Sequence, residues 1–247
     1  MKSLKILTLI YFFVVNISVY GQYTALDTFT YTKNNPLSVK TLLIPTALTV
    51  YGFASLSNES IRQVDFDVRK QINSKKMYKI DDYLIYLPMA ADIGLTFGGY
   101  KSKHNYKEKA ALYFMSTTLN ALLVYPTKSL VSRPRPDDSD FRSFPSGHTS
   151  NAFVGAEYFW QEYRHRSVWL AASGYLVAAS TGYLRLQNNK HWLSDVLTGA
   201  GIGMISTKVC YWLFPMVKKL VRTNEHFSII PSAAADFVAV KVIYHLK

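Results

Sequence analysis

Apolar residues gather along this chain in long windows separated by short basic or mixed stretches. Thr41–Ser57, Ala110–Thr127 and Ser167–Leu184 contain no charged residue; Tyr83–Tyr100 carries only Asp92 and Val196–Val217 only Lys208. A shorter window, Thr149–Trp160, contains Glu157. A bilayer crossing needs about 20 mostly apolar residues in a helix, so the pattern predicts a bundle of membrane helices. The windows are rich in Ala, Gly, Ser and Thr, which let helices approach closely in lipid. A soluble all-helical domain with buried helices is the alternative that the same windows allow. Strand-like alternation is confined to the tail, at Val238, Val240, Val242, Tyr244 and Leu246.

The first residues read differently. Lys2 and Lys5 precede an uncharged apolar run, Ile6–Val15, and Val19-Tyr20-Gly21 supplies small residues where a signal peptide is cut. Residues 1–21 are therefore a signal peptide or an N-terminal anchor, 22–40 a polar lead-in, 41–222 one helical domain, and 223–247 a tail of unassigned role. Within the domain, Asn58–Asp82 is a charged connecting segment and, by position, a candidate cover over a site.

Composition sharpens this picture. The 247 residues are 49% apolar and 18% charged, which excludes a disordered chain. The single cysteine, Cys210, excludes a disulfide framework. A mean hydropathy of +0.03 fits small-residue spans diluted by charged connections. The 28 Lys+Arg against 16 Asp+Glu give a net charge of +12, a balance associated with nucleic acid, anionic lipid or phosphate-bearing substrates. The basic residues sit in short connections between apolar windows, which disfavours nucleic acid. Lys101, Lys103, Lys107 and Lys109, then Arg164 and Arg166, then Lys218, Lys219 and Arg222 mark one face of a six-span bundle as cytoplasmic. A cleaved signal would leave Gln22 outside and reverse that face. Either one early segment, such as Thr41–Ser57, does not cross fully, or the signal reading fails.

The two opposite connections hold the chemistry. One runs from Lys128 through Arg135-Pro136 to Pro145-Ser146-Gly147-His148; the other runs from Leu184-Arg185 to His191 and Asp195. Lys128, Arg135 and Arg185 are fixed cations suited to phosphate oxygens, and bringing them together calls for an anion between them. His191 and Asp195, four apart, share one face of a helix, so Asp195 can hold one ring nitrogen and leave the other nucleophilic. A Ser-Gly turn into a helix offers backbone N–H groups to an anion, and His148 beside it can protonate a leaving oxygen.

Taken together, these blocks resemble the signature of the type-2 phosphatidic acid phosphatase superfamily, which also includes vanadium haloperoxidases and bacterial acid phosphatases. Lys128 is followed after six residues by Arg135-Pro136; Pro145 to His148 reads Pro-Ser-Gly-His; Arg185, His191 and Asp195 keep the spacing of the third block, with Leu184 where that block has Ser. The resemblance implies an all-α fold, a six-helix membrane bundle with the active site between the outward ends of the central helices. It implies that His191 attacks phosphorus to form a phosphohistidine, oriented by Asp195, and that His148 protonates the leaving oxygen. Lys128, Arg135, Arg185, Ser146 and the Gly147 N–H would hold the phosphoryl oxygens, with no metal and no cofactor. The implied activity is hydrolysis of a lipid phosphomonoester or pyrophosphate, in a bacterial inner membrane with the site facing the periplasm. Phosphatidic acid, phosphatidylglycerol phosphate, undecaprenyl pyrophosphate and the phosphates of lipid A are the candidate substrates. A vanadium-dependent haloperoxidase using the same pocket is the alternative enzyme, and a silent lipid-binding protein the alternative without catalysis.

Overall fold

The computed structural model of the chain describes residues 38–72, 79–223, 227–234 and 237–244. The expected signal segment therefore lies outside the described residues. Among the described residues eight helices follow one another: α1 (Val39–Ser57), α2 (Glu59–Ile72), α3 (Asp81–Leu84), α4 (Leu87–Phe97), α5 (Tyr106–Val131), α6 (Gly147–Tyr163), α7 (Val168–Gln187) and α8 (Leu193–Thr223). Two strands come after them, β1 (Phe227–Ala234) and β2 (Phe237–Tyr244). The chain divides into two compact units, and Asn35–Pro215 holds the helical one.

The helical character follows the apolar windows, but the count differs from six for local reasons. Asn58 ends α1 and then caps α2, its Oδ1 accepting from the Ile61 N–H at 3.1 Å, so the charged connection becomes a helix of its own. The Tyr83–Tyr100 window is broken. Pro88 sits in the first turn of α4, where its missing N–H interrupts the hydrogen-bond ladder between α3 and α4, while Ile85 and Tyr86 keep helical backbone angles. The remaining α4 has 11 residues, about 16 Å of helix, against a hydrocarbon core of about 30 Å. α4 alone is therefore shorter than a full crossing, whereas α1 holds Thr41–Ser57 in one helix. By length and composition α1 (Val39–Ser57) and Leu193–Lys219 of α8 can cross a membrane.

Small residues set the helix packing, as their frequency in the windows predicts. A Cβ on Gly201 would lie 2.2 Å from Thr49 Oγ1 and 2.5 Å from the Pro45 carbonyl, so α8 and α1 touch backbone to backbone there. A Cβ on Gly199 would lie 2.5 Å from the Ser146 carbonyl at the start of α6. This second contact presses the first turns of α8 onto Ser146. Away from these first turns the helical interior carries paired charges. Lys109 donates to Asp92 at 2.7 Å, and Asp92 also accepts from Tyr158 and Tyr163. Lys208 meets Glu157 at 2.8 Å, and His104 Nδ1 meets Glu162 at 2.7 Å.

In the second unit the two strands form an antiparallel pair, from Phe227 opposite Tyr244 to Ala234 opposite Phe237. The alternating tail residues up to Tyr244 fall in β2. Pro231 is compatible with a two-stranded sheet, where every strand is an edge.

Candidate functional site

The site is built where the α5–α6 connection meets the α7–α8 connection. Helix α5 ends at Val131 because Ser132 turns left-handed, with φ 47°, and its N–H bonds back to the Lys128 carbonyl. That turn releases Arg133-Pro134-Arg135 as irregular chain, which turns at Pro136, where the Asp138 N–H donates to the Arg135 carbonyl at 3.1 Å. The loop returns through Ser143, whose N–H donates to the Arg133 carbonyl at 3.0 Å, and enters α6 at Ser146. The Ser146 N–H in turn donates to the Asp195 carbonyl at 3.0 Å, tying the two connections together at the backbone.

His191 is 3% exposed and sits immediately before α8. Its Nδ1 lies 2.7 Å from the Ser143 carbonyl. A carbonyl can only accept, so Nδ1 carries the proton and Nε2 keeps its lone pair. Burial, with the charges of Lys128 and Arg185 acting in the same direction, pulls the ring down to about 4, against the opposing pull of Asp195. The ring is therefore neutral at neutral pH. Asp195 was expected to orient it, but Asp195 Oδ2 lies 3.7 Å from Nδ1, beyond hydrogen-bond reach. The reason is that Asp195 is already engaged: it accepts from Ser143 Oγ at 2.5 Å, from the Trp192 N–H at 2.8 Å and from Arg133 Nη1 at 2.9 Å. The Trp192 contact makes it the returning half of a capping box at the start of α8. Asp195 thus fixes Ser143 and the helix start, and Ser143 holds the ring.

The expected phosphate cations converge, each already in contact with an acceptor. Lys128 Nζ donates to the Arg142 carbonyl at 2.8 Å, with its Cε beside Gly147 at the start of α6. Burial and the neighbouring Arg135 charge draw Lys128 down to about 8. Arg135 Nε donates to Asp140 at 2.6 Å. Arg185 Nη1 is held by Asp81 of α3 at 2.5 Å, with Asp82 3.8 Å away, while its Nε is buried without a partner. The cation cluster therefore carries its own carboxylates in place of the anion that the sequence called for. His148 Nε2 lies 3.0 Å from Asp82; burial first and the Arg185 charge next hold the ring below its ordinary range, with Asp82 opposing both. Ser146 Oγ is fully buried against Thr149, at 2.9 Å from its hydroxyl and 3.4 Å from its N–H. It acts as the N-cap of α6, and Gly147 begins the helix there.

Several of these partners escaped sequence reasoning. Arg133 lies two residues before Arg135 with nothing in the string to distinguish their roles, yet Arg133 pairs with Asp65 and Asp195 while Arg135 pairs with Asp140. Asp65, Asp81 and Asp82 all come from Asn58–Asp82, the segment singled out only by position. Their signal is being acidic in a basic chain; their partners lie 66 or more residues away.

Comparison with known proteins bears on this arrangement. The family model described as the PAP2 superfamily matches residues 109–219, a stretch that spans all the motif residues. A Lipid A 1-phosphatase of Porphyromonas gingivalis is 34% identical over 161 residues, which are 65% of this chain and 35% of that protein. The chain thus spans about a third of the length of that relative. Among solved structures, the first transmembrane PAP2 type phosphatidylglycerolphosphate phosphatase from Bacillus subtilis matches with a TM-score of 0.50 at 18% identity, over 72% of this chain and 97% of that one. LpxE of Aquifex aeolicus matches with a TM-score of 0.47 at 25% identity, over 60% and 94% of the two chains. The Bacillus likeness is one of fold.

Proposed function

From the match of residues 109–219 to the PAP2 superfamily model, we propose that this chain is a membrane phosphatase of that family, hydrolysing a lipid phosphate through a phosphohistidine. The observation that carries the reading is the His191 ring, with Nδ1–H spent on the Ser143 carbonyl and Nε2 basic. A neutral buried imidazole with one free lone pair is a nucleophile, and it needs no base to activate it. His191 Nε2 attacks phosphorus as the bond to the lipid oxygen breaks. His148, as imidazolium, gives that oxygen its proton. Water then attacks the phosphohistidine and regenerates His191. Lys128, Arg135, Arg185 and the first N–H groups of α6, including that of Gly147, stabilise the equatorial oxygens, exchanging their present carboxylate and carbonyl partners for phosphate. Ser146 supports this as the cap that fixes α6 and not through its hydroxyl. The charge stabilisation comes from side chains, which makes metal independence part of the proposal.

The substrate reading follows the relatives. Among phosphatidic acid, phosphatidylglycerol phosphate, undecaprenyl pyrophosphate and lipid A, similarity to a Lipid A 1-phosphatase favours a lipid A phosphate. The same similarity speaks against the haloperoxidase alternative. The membrane is proposed as a bacterial inner membrane with the site on the periplasmic side, where the short basic connections would stay cytoplasmic. The test uses purified full-length protein in detergent with chelator present. Phosphate release from lipid A or another of these lipids, inhibition by vanadate as a five-coordinate mimic, and loss of release in His191→Ala are expected. Full activity in His191→Ala overturns the mechanism, and halide oxidation with vanadate and peroxide, in place of phosphate release, overturns the activity.

A further inference from the structure

Outside the motif residues, one side chain links the nucleophile's surroundings to a helix that the motifs do not include. Arg133 is nearly buried and uses its fork three ways: Nη1 donates to Asp195 at 2.9 Å and to Ser194 Oγ at 2.7 Å, and Nη2 donates to Asp65 of α2 at 2.7 Å. Asp65 is 1% exposed. It also accepts from the Ser194 N–H at 2.8 Å and from Ser194 Oγ at 2.6 Å. So a carboxylate from α2 caps the first turn of α8, the turn that carries Asp195, and neutralises the arginine that grips Asp195. The rings agree with this. Phe66 of α2 meets Trp192 edge-on at 5.1 Å, and the guanidinium groups of Arg133 and Arg69 lie over the same indole at 5.4 and 5.3 Å. A cleft beside His191 is lined in part by Asp65, Arg69 and Trp192.

We propose that Arg133 and Asp65 are positioning residues for the nucleophile, and that α2 is therefore a component of the active site. The inference rests on the phosphohistidine reading. The chain of contacts runs Asp65–Arg133–Asp195–Ser143–His191, each member satisfying the next. A buried carboxylate without its guanidinium would draw Ser143 and the helix start out of register, and catalysis is sensitive to small misplacements. Because the links are charged, the chain also sets how readily His191 takes a proton. The groups facing His191 are Lys128 of α5, Arg185 of α7, Asp195 of α8, Arg133 from the connection, and Asp65 and Arg69 of α2.

The experiment measures kcat and KM for phosphate release from pH 3.5 to 9 in Arg133→Gln, Arg133→Lys and Asp65→Asn. The wild type and His191→Ala are measured alongside. Arg133→Gln leaves the Asp195 charge uncompensated, so the acid limb of kcat/KM, which reports His191, moves up by about half a pH unit or more. Asp65→Asn leaves Arg133 uncompensated, so the limb moves down. Arg133→Lys keeps the charge and loses the fork, so the limb stays while kcat falls about 10-fold or more at unchanged KM. Packing alone predicts loss of folded protein with the limb fixed in all three. Limbs that stay fixed or move in the same direction overturn the proposal, as does wild-type kcat in Arg133→Gln. A wild type that releases no phosphate, or a His191→Ala protein that does, overturns instead the reading on which it rests.

Discussion

Replacing Asp82 with Asn removes the carboxylate from His148 while keeping its size and hydrogen-bonding ability. In the structure Asp82 Oδ1 sits 3.0 Å from His148 Nε2, with side chains 55% and 37% exposed, respectively. At such separations a unit pair is worth about 1 kcal/mol in water and about 4 kcal/mol at an effective dielectric of 20. The exposure of both partners puts this pair at the lower figure, and about 1 kcal/mol is about 0.7 of a pH unit. Asp82 opposes burial and Arg185, which together already hold His148 below its ordinary 6.5. The sign is therefore fixed: without Asp82 the imidazolium is lost at still lower pH. The general acid disappears as pH rises through that value, so the alkaline limb of kcat/KM moves down by about 0.7 unit, and kcat at pH 7 falls about 5-fold. Asp82 also stands 3.8 Å from Arg185 Nη1, so its removal leaves Arg185 freer for phosphate and KM falls. The assay is phosphate release from a lipid phosphate in detergent micelles from pH 4 to 9, with the wild type on the same substrate as reference. An alkaline limb that stays in place or moves up refutes the assignment of His148 as an acid supported by Asp82.

Two further outcomes come from the geometry. Lys128 is drawn down to about 8 by burial and by Arg135, so it is cationic below that pH and neutral above it; KM rises between pH 7 and 9.5 in the wild type and stays flat over that range in Lys128→Arg, and a flat wild-type profile contradicts the assignment. Lys109→Met strands the buried Asp92 carboxylate, which Lys109 meets at 2.7 Å; breaking a buried pair costs about 3–5 kcal/mol, read as a lower thermal midpoint in detergent, and Lys109→Met with Asp92→Asn recovers part of it by removing the charge while keeping an acceptor for Tyr158 and Tyr163.

Helix positions were legible in the sequence where period and composition act locally. The uncharged windows lie in α1, α5 and α7, and the alternating tail residues up to Tyr244 lie in β2. The miss at Tyr83–Tyr100 was also local, since Pro88 was in view and hydropathy averaged over a window hides a single proline. The motif residues were legible because spacing along one helix, or across one tight turn, is a short-range property. What spacing cannot give is the partner of each group. Four-residue spacing predicts that His191 and Asp195 share a helix face and pair directly; His191 instead precedes α8, and its ring reaches Ser143, 48 residues earlier. Nothing periodic connects those positions. They meet because Ser132 turns the chain out of α5 and Gly199 lets α8 close on Ser146.

The same limit applies to the charge around the motif cations. Counting only the motif cations made the site look strongly positive and in need of an anion. Arg133, Arg135 and Arg185 are each paired with carboxylates there, drawn from Asp65, Asp81, Asp82, Asp140 and Asp195, and Lys128 with the Arg142 carbonyl. Under the proposed function, phosphate binds by exchanging with the acceptors that these cations already hold. The exchange is unequal. Asp65 and Asp195 are fully enclosed, each holding a helix start, so they belong to the framework. The Asp82 and Asp140 side chains are 55% and 42% exposed, and water can solvate them once they are displaced. Asp81 is 1% exposed but sits on the four-residue α3 with Asp82. The buried Nε of Arg185, without a partner while Nη1 is held, shows that Asp81 alone does not satisfy that guanidinium. A phosphate, with more acceptor oxygens than a carboxylate, can reach both nitrogens. Affinity for the substrate would then come from the better geometry of phosphate over carboxylate at Arg185 and Arg135, against the framework that Asp65, Arg133 and Asp195 keep fixed.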